Sequence, residues 1–406
     1  MATIQSLEVF HVKHRLAILG LLCFLTLTAA GCISAASPRG WAAPTQYNDL
    51  VLLTDSRGKL DAIKAAGGER QWRFPDDWDI ADKSAQKTQG IYATPLISGS
   101  RAYLGDYNGY VYALDLATAP TRDASGKVQQ KGTVVWARKP GKAIVGGLAL
   151  DADTGKLFVT SDDGFVYAIN TKDDKAPFES FLKTADHIWS APAVSGGRVY
   201  VTSTDGKLYA SDHLTAKEAW PPFKASAALV TTPTISGEVV LAGSFDSNLY
   251  AVNASTGQQL WAFKTSNWVW SQPLVDSGTV YFGDFDGNIY AVNLADGKPK
   301  WGVPFRAKNP IRAAPVIVSG TLVVASHDGH LFGLDPQTGA SRWESLDVGA
   351  KLNADLARSS LAGDAPNVLL APESCASQSQ STTKLYYYGL AVSAASGTLQ
   401  STDKIC

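Results

Sequence analysis

One eleven-residue frame recurs along this chain, and its spacing limits the fold more than any other feature. It reads Ala-x-(Asp/Asn)-x-x-Thr-Gly-x-x-x-Trp and is seen entire from Ala251 through Gly257 to Trp261. A second copy runs through Ala291, Gly297 and Trp301, and a third, through Gly333, Gly339 and Trp343, differs in its first residue. Ala62, Gly68 and Trp72 keep the interval, whereas the copy from Ala210 to Trp220 has Ala216 in place of the glycine. Phe178 fills the tryptophan slot after Ala168. Ala113 and Trp136 fit the frame when an insertion of about a dozen residues lies between them, a light load on a surface loop.

The frames begin at residues 62, 113, 168, 210, 251, 291 and 333, so they are 51, 55, 42, 41, 40 and 42 residues apart. Upstream, a proline stands fourteen residues before a turn residue six times: Pro44 and Gly58, Pro95 and Gly109, Pro192 and Gly206, Pro233 and Ser247, Pro273 and Gly287, Pro315 and Gly329. One copy reads as four strands: Pro192–Ser195, Arg198–Thr202, Lys207–Ser211 and Glu218–Trp220. The middle pair alternates apolar and polar residues and is joined at Asp205-Gly206, a hairpin signal that rests on positive φ. Four short strands every forty or so residues is the period of a β-propeller blade, and blades must stack to bury both faces. The expected fold is all-β, an eight-bladed β-propeller of four-stranded antiparallel blades. Seven blades are clear between Trp41 and Trp343. The 63 residues Glu344–Cys406 read as a divergent eighth, with strand-like runs at Asn367–Leu370 and Lys384–Val392. Seven blades and a tail is the other arrangement. In each blade the tryptophan is expected to dock on the small alanine and glycine of its own frame, which makes Trp72, Trp136, Trp220, Trp261, Trp301 and Trp343 structural.

Residues 1–31 read as a targeting segment: Lys13 and Arg15 precede an apolar run, Leu16–Ala30, that is short for a membrane span. It ends in Ala29-Ala-Gly-Cys32, which resembles the lipobox of bacterial lipoproteins, although Ala29 stands where leucine is usual. The resemblance implies lipidation of Cys32 and tethering of the chain to a membrane. Residues 32–43 then form a linker and 44–406 the propeller. With Cys23 in the leader and Cys32 lipidated, an exported chain keeps Cys375 and Cys406, either as one disulfide or as two free thiols. The formal charge is −1 with no basic block, so nucleic acid is not an expected partner.

Catalytic signals are scarce: the chain lacks Gly-x-Ser-x-Gly, a P-loop and His-Glu-x-x-His. Asp284-Phe-Asp286-Gly-Asn288 and Asp106-Tyr-Asn108-Gly have a faint likeness to Ca²⁺ loops, but they fall on the hairpin turn shared by every blade and lack a terminal glutamate. His327 and His330 bracket the same turn in the seventh repeat without a third ligand nearby, so no metal site is assigned. The more informative set stands three residues before the landmark prolines: Trp41, Tyr92, Trp189, Val230, Trp270 and Arg312. Each would start an inner strand near the channel mouth, where Tyr92, Trp189, Trp270 and Arg312 form either channel packing or a binding face for a planar ligand or an extended peptide.

The frame resembles the tryptophan-docking repeats of the pyrroloquinoline-quinone-type propeller superfamily across nearly all of residues 41–343. Within it, the dehydrogenase branch is a poor match, since the chain lacks the adjacent cysteines and placeable acidic cluster of those enzymes. The BamB family of outer-membrane assembly lipoproteins matches in length, anchor and blade count. That resemblance implies a non-catalytic, monomeric scaffold without a cofactor, lipid-anchored outside the cytoplasm. Its partners would be proteins, those of the β-barrel assembly machinery foremost. A quinone-dependent dehydrogenase and an extracytoplasmic small-ligand sensor are the alternatives. The connection Asp76–Gln89 and the insertion between Ala113 and Trp136 have no counterpart in this resemblance.

Overall fold

Alternating apolar residues between turn signals form seven sheets whose four main strands are antiparallel and follow chain order, the second sheet carrying one further strand. The computed structural model describes residues 42–347, apart from 55–57, 65–68 and 124, together with three short strands further on. The leader, Cys32, Trp41, Cys375 and Cys406 lie outside the described residues. Blade 1 comprises Thr45–Tyr47, Leu50–Thr54, Leu60–Lys64 and Arg70–Phe74. Blade 2 has Leu96–Ser98, Arg101–Gly105, Val111–Asp115 and Gly132–Arg138. Blade 3 has Gly147–Asp151, Lys156–Thr160, Phe165–Asn170 and Glu179–Lys183. Blade 4 has Ala193–Ser195, Arg198–Thr202, Lys207–Asp212 and Phe223–Lys224, and blade 5 has Thr234–Ser236, Val239–Gly243, Asn248–Asn253 and Gln259–Lys264. Blade 6 runs through Leu274–Asp276, Thr279–Gly283, Asn288–Asn293 and Phe305–Arg306, and blade 7 through Val316–Val318, Thr321–Ala325, His330–Leu334 and Ser341–Asp347. An eighth sheet is described by three strands, Ala357–Ser359, Asn367–Leu369 and Val392–Ser393. The β-propeller expected from the repeat is therefore the fold. The strand expected over Lys384–Val392 is described only at its end.

Period-two alternation in the two middle strands gives each blade two apolar faces. Val240 and Ala242 pack back on Tyr200 and Trp220 of blade 4, while Leu241 packs forward on Val280 and Phe282 of blade 6. The landmark prolines tie inner strands together. Thr45 Oγ1 donates to the Pro95 carbonyl at 3.0 Å, and Thr234 Oγ1 donates to that of Pro273 at 2.9 Å.

Two expectations are corrected. First, the outer strand of blade 4 is not Glu218–Trp220: only an isolated bridge joins Ser211 to Glu218, and the ladder resumes at Phe223–Lys224. Pro221 and Pro222 follow the tryptophan and cannot donate to the ladder. Pro304 does the same in blade 6, whereas blade 5, with no proline in its outer segment, keeps an unbroken strand. Second, the tryptophan docks on the glycine of the following frame rather than its own. A methyl group on Gly257 would stand 2.5 Å from Trp220 Cε3, one on Gly297 would be 2.7 Å from Trp261 Cδ2, and one on Gly339 would be 2.7 Å from Trp301 Cδ2. Each indole also donates Nε1–H into that next turn, to the carbonyls of Ala254, Leu294 and Pro336 at 3.0, 2.9 and 3.1 Å. The alanine expectation holds, because Ala251 is the register partner of Trp261. Trp343 likewise faces Gly333, at that position in its own frame.

The long repeats spend their extra residues at the rim. From the Asp76–Gln89 connection, Trp78–Asp79 adds to blade 2 as a fifth strand, parallel to Gly132–Arg138. Trp78 meets Trp72 edge-on at 5.1 Å, so Trp72 docks on an inserted indole instead of a turn. The blade 2 insertion folds as a hairpin of Thr121–Arg122 and Val128–Gln130. Its Arg122 donates Nε–H to the Gln71 carbonyl at 2.8 Å and pairs with Asp77. Trp136 packs against Tyr103 and Phe178, with ring centroids 6.1 and 6.0 Å away.

Candidate partner-binding face

The turn between the second and third strands of each blade sets one face of the propeller. In blade 4 it is a four-residue loop, Ser203–Gly206, in which Gly206 N–H bonds Ser203 O at 3.1 Å and takes φ +81°. That is a type I turn closed by a left-handed residue, the longer hairpin geometry rather than a two-residue turn. The acidic turn residues are consumed by the loop. Asp284 accepts from the backbone N–H of Asp286 and Asn288 at 3.0 and 2.9 Å, from Asn288 Nδ2 at 2.9 Å and from Tyr290 Oη at 2.8 Å. Among the described residues, no group of three or more His, Cys, Asp or Glu could hold a metal ion. Asp106, wholly buried, is pushed up to about 6 by desolvation, against hydrogen bonds from Tyr110 N and Tyr112 Oη at 2.9 and 3.0 Å.

The loop entering each inner strand runs extended, so alternate side chains go to opposite sides. Val269 and Ser271 are buried while Trp268 and Trp270 turn outward; Ile188 and Ser190 are buried while His187 and Trp189 turn outward. Main-chain bonds fix this register, with Val269 N–H on Ser244 O at 3.1 Å and Phe285 N–H on Trp268 O at 2.9 Å. Trp189 and Trp268 are each 41% exposed, unusual for so large an apolar ring.

The four residues read as one ring divide into local groups. Trp270 and Arg312 come together: the guanidinium carbon lies 5.7 Å from the Trp270 ring and 5.0 Å from that of Phe285. Phe245 stacks on Trp268 at 4.7 Å and meets Trp270 at 5.3 Å, and Phe285 reaches Trp268 at 5.5 Å. The result is a four-ring aromatic platform with one arginine across blades 5 to 7. Elsewhere Tyr92 packs on Tyr107 at 5.5 Å. Trp189 donates Nε1–H to Asp162 Oδ1 at 3.1 Å beside His187, whose Nδ1 lies 2.6 Å from the Asp162 carbonyl. That carbonyl, with the Asp162 carboxylate behind it, holds the His187 imidazole above its ordinary range. Val230 is buried and contributes nothing to the face. Sequence reasoning missed Phe245 and Phe285, although both fill the second position of the four-residue turn, directly before an aspartate, a position set by the same repeat.

This arrangement holds rigid aromatic rings and cations against solvent, which is the chemistry of macromolecular recognition. A family model described as outer membrane protein assembly factor BamB matches residues 120–261 and 224–404. The outer membrane protein assembly factor BamB of Legionella pneumophila is 27% identical over 168 residues, 41% of this chain and 39% of that protein. The one from Salmonella typhimurium is 31% identical over 211 residues, 43% of this chain and 50% of its own length. The chain thus spans half or less of the length of these curated relatives. Among solved structures, BamB from Moraxella catarrhalis superposes with a TM-score of 0.61 at 16% identity, covering 82% of this chain and 93% of that one. The computationally designed Ika8 protein gives 0.64 at 15%, covering 83% and 94%. At such identities these two show the fold alone.

Proposed function

This chain belongs to the family of the outer membrane protein assembly factor BamB, and we propose that it is a non-catalytic propeller scaffold that binds proteins of outer-membrane β-barrel assembly. The family match over residues 120–261 and 224–404 carries the reading. The platform of Phe245, Trp268, Trp270, Phe285 and Arg312 supports it, because an exposed tryptophan beside half-buried aromatic rings and an arginine is the kind of cluster that dominates binding energy at protein interfaces. The turn carboxylates do not favour chemistry, since their lone pairs are taken by the turns themselves. In this reading the chain is monomeric, needs no cofactor and sits outside the cytoplasm, anchored through lipid on Cys32, with Cys375 and Cys406 closing a disulfide.

The test is affinity purification of the tagged full-length protein from gently solubilised membranes, with mass spectrometry of proteins and small molecules. A β-barrel assembly protein recovered with the parent and lost with Trp270→Ala and Arg312→Ala supports the scaffold. A stoichiometric quinone with Ca²⁺ and no protein partner overturns it in favour of a dehydrogenase.

A further inference from the structure

The outer strand of a blade offers unpaired N–H and C=O groups at the rim, a template for any extended chain. This protein answers that hazard differently blade by blade. In blade 2, Trp78–Asp79 pairs in parallel with the start of the outer strand, at Gly132 and Thr133. Blade 1 has the inserted hairpin against it, with Arg122 on the Gln71 carbonyl. In blades 4 and 6, prolines cut the outer strand to two residues. The outer strand of blade 3 carries charges of both signs, Glu179 and Lys183.

Blade 5 has none of these protections. Its outer strand, Gln259–Lys264, is six residues long, is the last in its sheet, contains no proline, and has only Lys264 as a charge. Leu260 on it is 47% exposed, and Gln259 and Ala262 are exposed as well. Blade 2 shows what can pair with such an edge in this fold, namely a short extended segment laid alongside the outer strand.

We propose that the outer edge of blade 5 binds an extended strand of a partner polypeptide with alternating apolar and polar side chains, as in a β-barrel strand whose sheet has not yet closed. The choice of a barrel strand rests on the proposed function; the edge itself does not. Main-chain bonds would supply affinity, and Leu260 would meet one apolar side chain of the incoming strand.

The full-length protein is mixed with a ten-residue peptide alternating valine or tyrosine with threonine or lysine, and amide hydrogen exchange is followed by mass spectrometry. Slowed exchange over residues 259–264 is expected, and methylating alternate amide nitrogens of the peptide should abolish it. Ala262→Pro removes one edge donor and should weaken binding about tenfold, the worth of roughly one hydrogen bond. Leu260→Lys alters only an exposed side chain, so it keeps the test open if the proline variant misfolds; it too should weaken binding. Protection confined to other blades, parental affinity in both variants, or undiminished binding of the methylated peptide would overturn the proposal. Edge protection without co-purifying assembly proteins would leave this inference standing and remove the proposed function. Co-purification without edge protection would do the reverse.

Discussion

The docking of each tryptophan on the next blade can be measured with two glycines of blade 6. Gly278 has φ +75° with no heavy atom within 4 Å of a built Cβ. Gly297 has nearly the same backbone, φ +69°, but its Cβ would lie 2.7 and 2.8 Å from Trp261 Cδ2 and Cε3. Alanine in the left-handed region costs about 1–2 kcal/mol at either position. At Gly297 the methyl must also displace an indole held by its bond to Leu294 O, and overpacking of that kind adds roughly 1–3 kcal/mol. Gly278→Ala should therefore cost about 1 kcal/mol and Gly297→Ala about 2–4 kcal/mol. Urea denaturation of the two variants and the parent gives both values. Repeating Gly297→Ala in a Trp261→Ala background should collapse the excess to the level of Gly278→Ala, because the obstructing ring is gone. Equal costs at the two glycines, or an excess that survives loss of the indole, would refute docking on the following frame.

Three further outcomes follow from the turns. Asp106 has a folded pKa near 6 against an ordinary 3.8, so the folded state binds more protons between these values and stability falls as pH rises through that window. Asp106→Asn should raise stability by roughly 3 kcal/mol at most above pH 7 and give no gain near pH 4, read from melting temperatures across pH. Ser247 holds φ +64° where the equivalent turn residues are glycine, so Ser247→Gly should stabilise by about 1 kcal/mol in urea titrations; a loss would mean its side chain matters more than its backbone. An NMR titration should place His187 above the ordinary histidine range. Asp162→Asn should lower it only in part, because the larger cause is the Asp162 carbonyl, which that substitution keeps.

Much of the fold was legible because a blade is local. Alternation at Val199–Thr202, the Asp205-Gly206 turn and the landmark prolines each act within a few residues, and each lies where the sequence places it. What failed was non-local or depended on prolines just past the frame. Trp220 and its acceptor Ala254 are 34 residues apart, and nothing within one frame says whether an indole turns toward its own blade or the next. The platform was half legible. Trp270 and Arg312 emerge from the repeat, but Phe245 and Phe285 join them only because turns and entry loops of neighbouring blades meet at the same surface. Trp78–Asp79 was illegible for another reason: two residues carry no periodicity, and parallel pairing to Gly132–Arg138 crosses the entire inner part of blade 2.

The tryptophan joints also bear on how such a chain can grow. Gly297, the socket for Trp261, precedes Trp301, the plug for Gly339, by four residues. Any copied segment of one period therefore brings a socket and a plug together, whichever residue the duplication begins at. The new unit accepts the indole of the unit before it and offers its own to the unit after, so an ancestral gene gaining one blade would have created no orphaned joint. Individual frames were then free to drift, as Phe178 and the inserted Trp78 have, without breaking the succession around them.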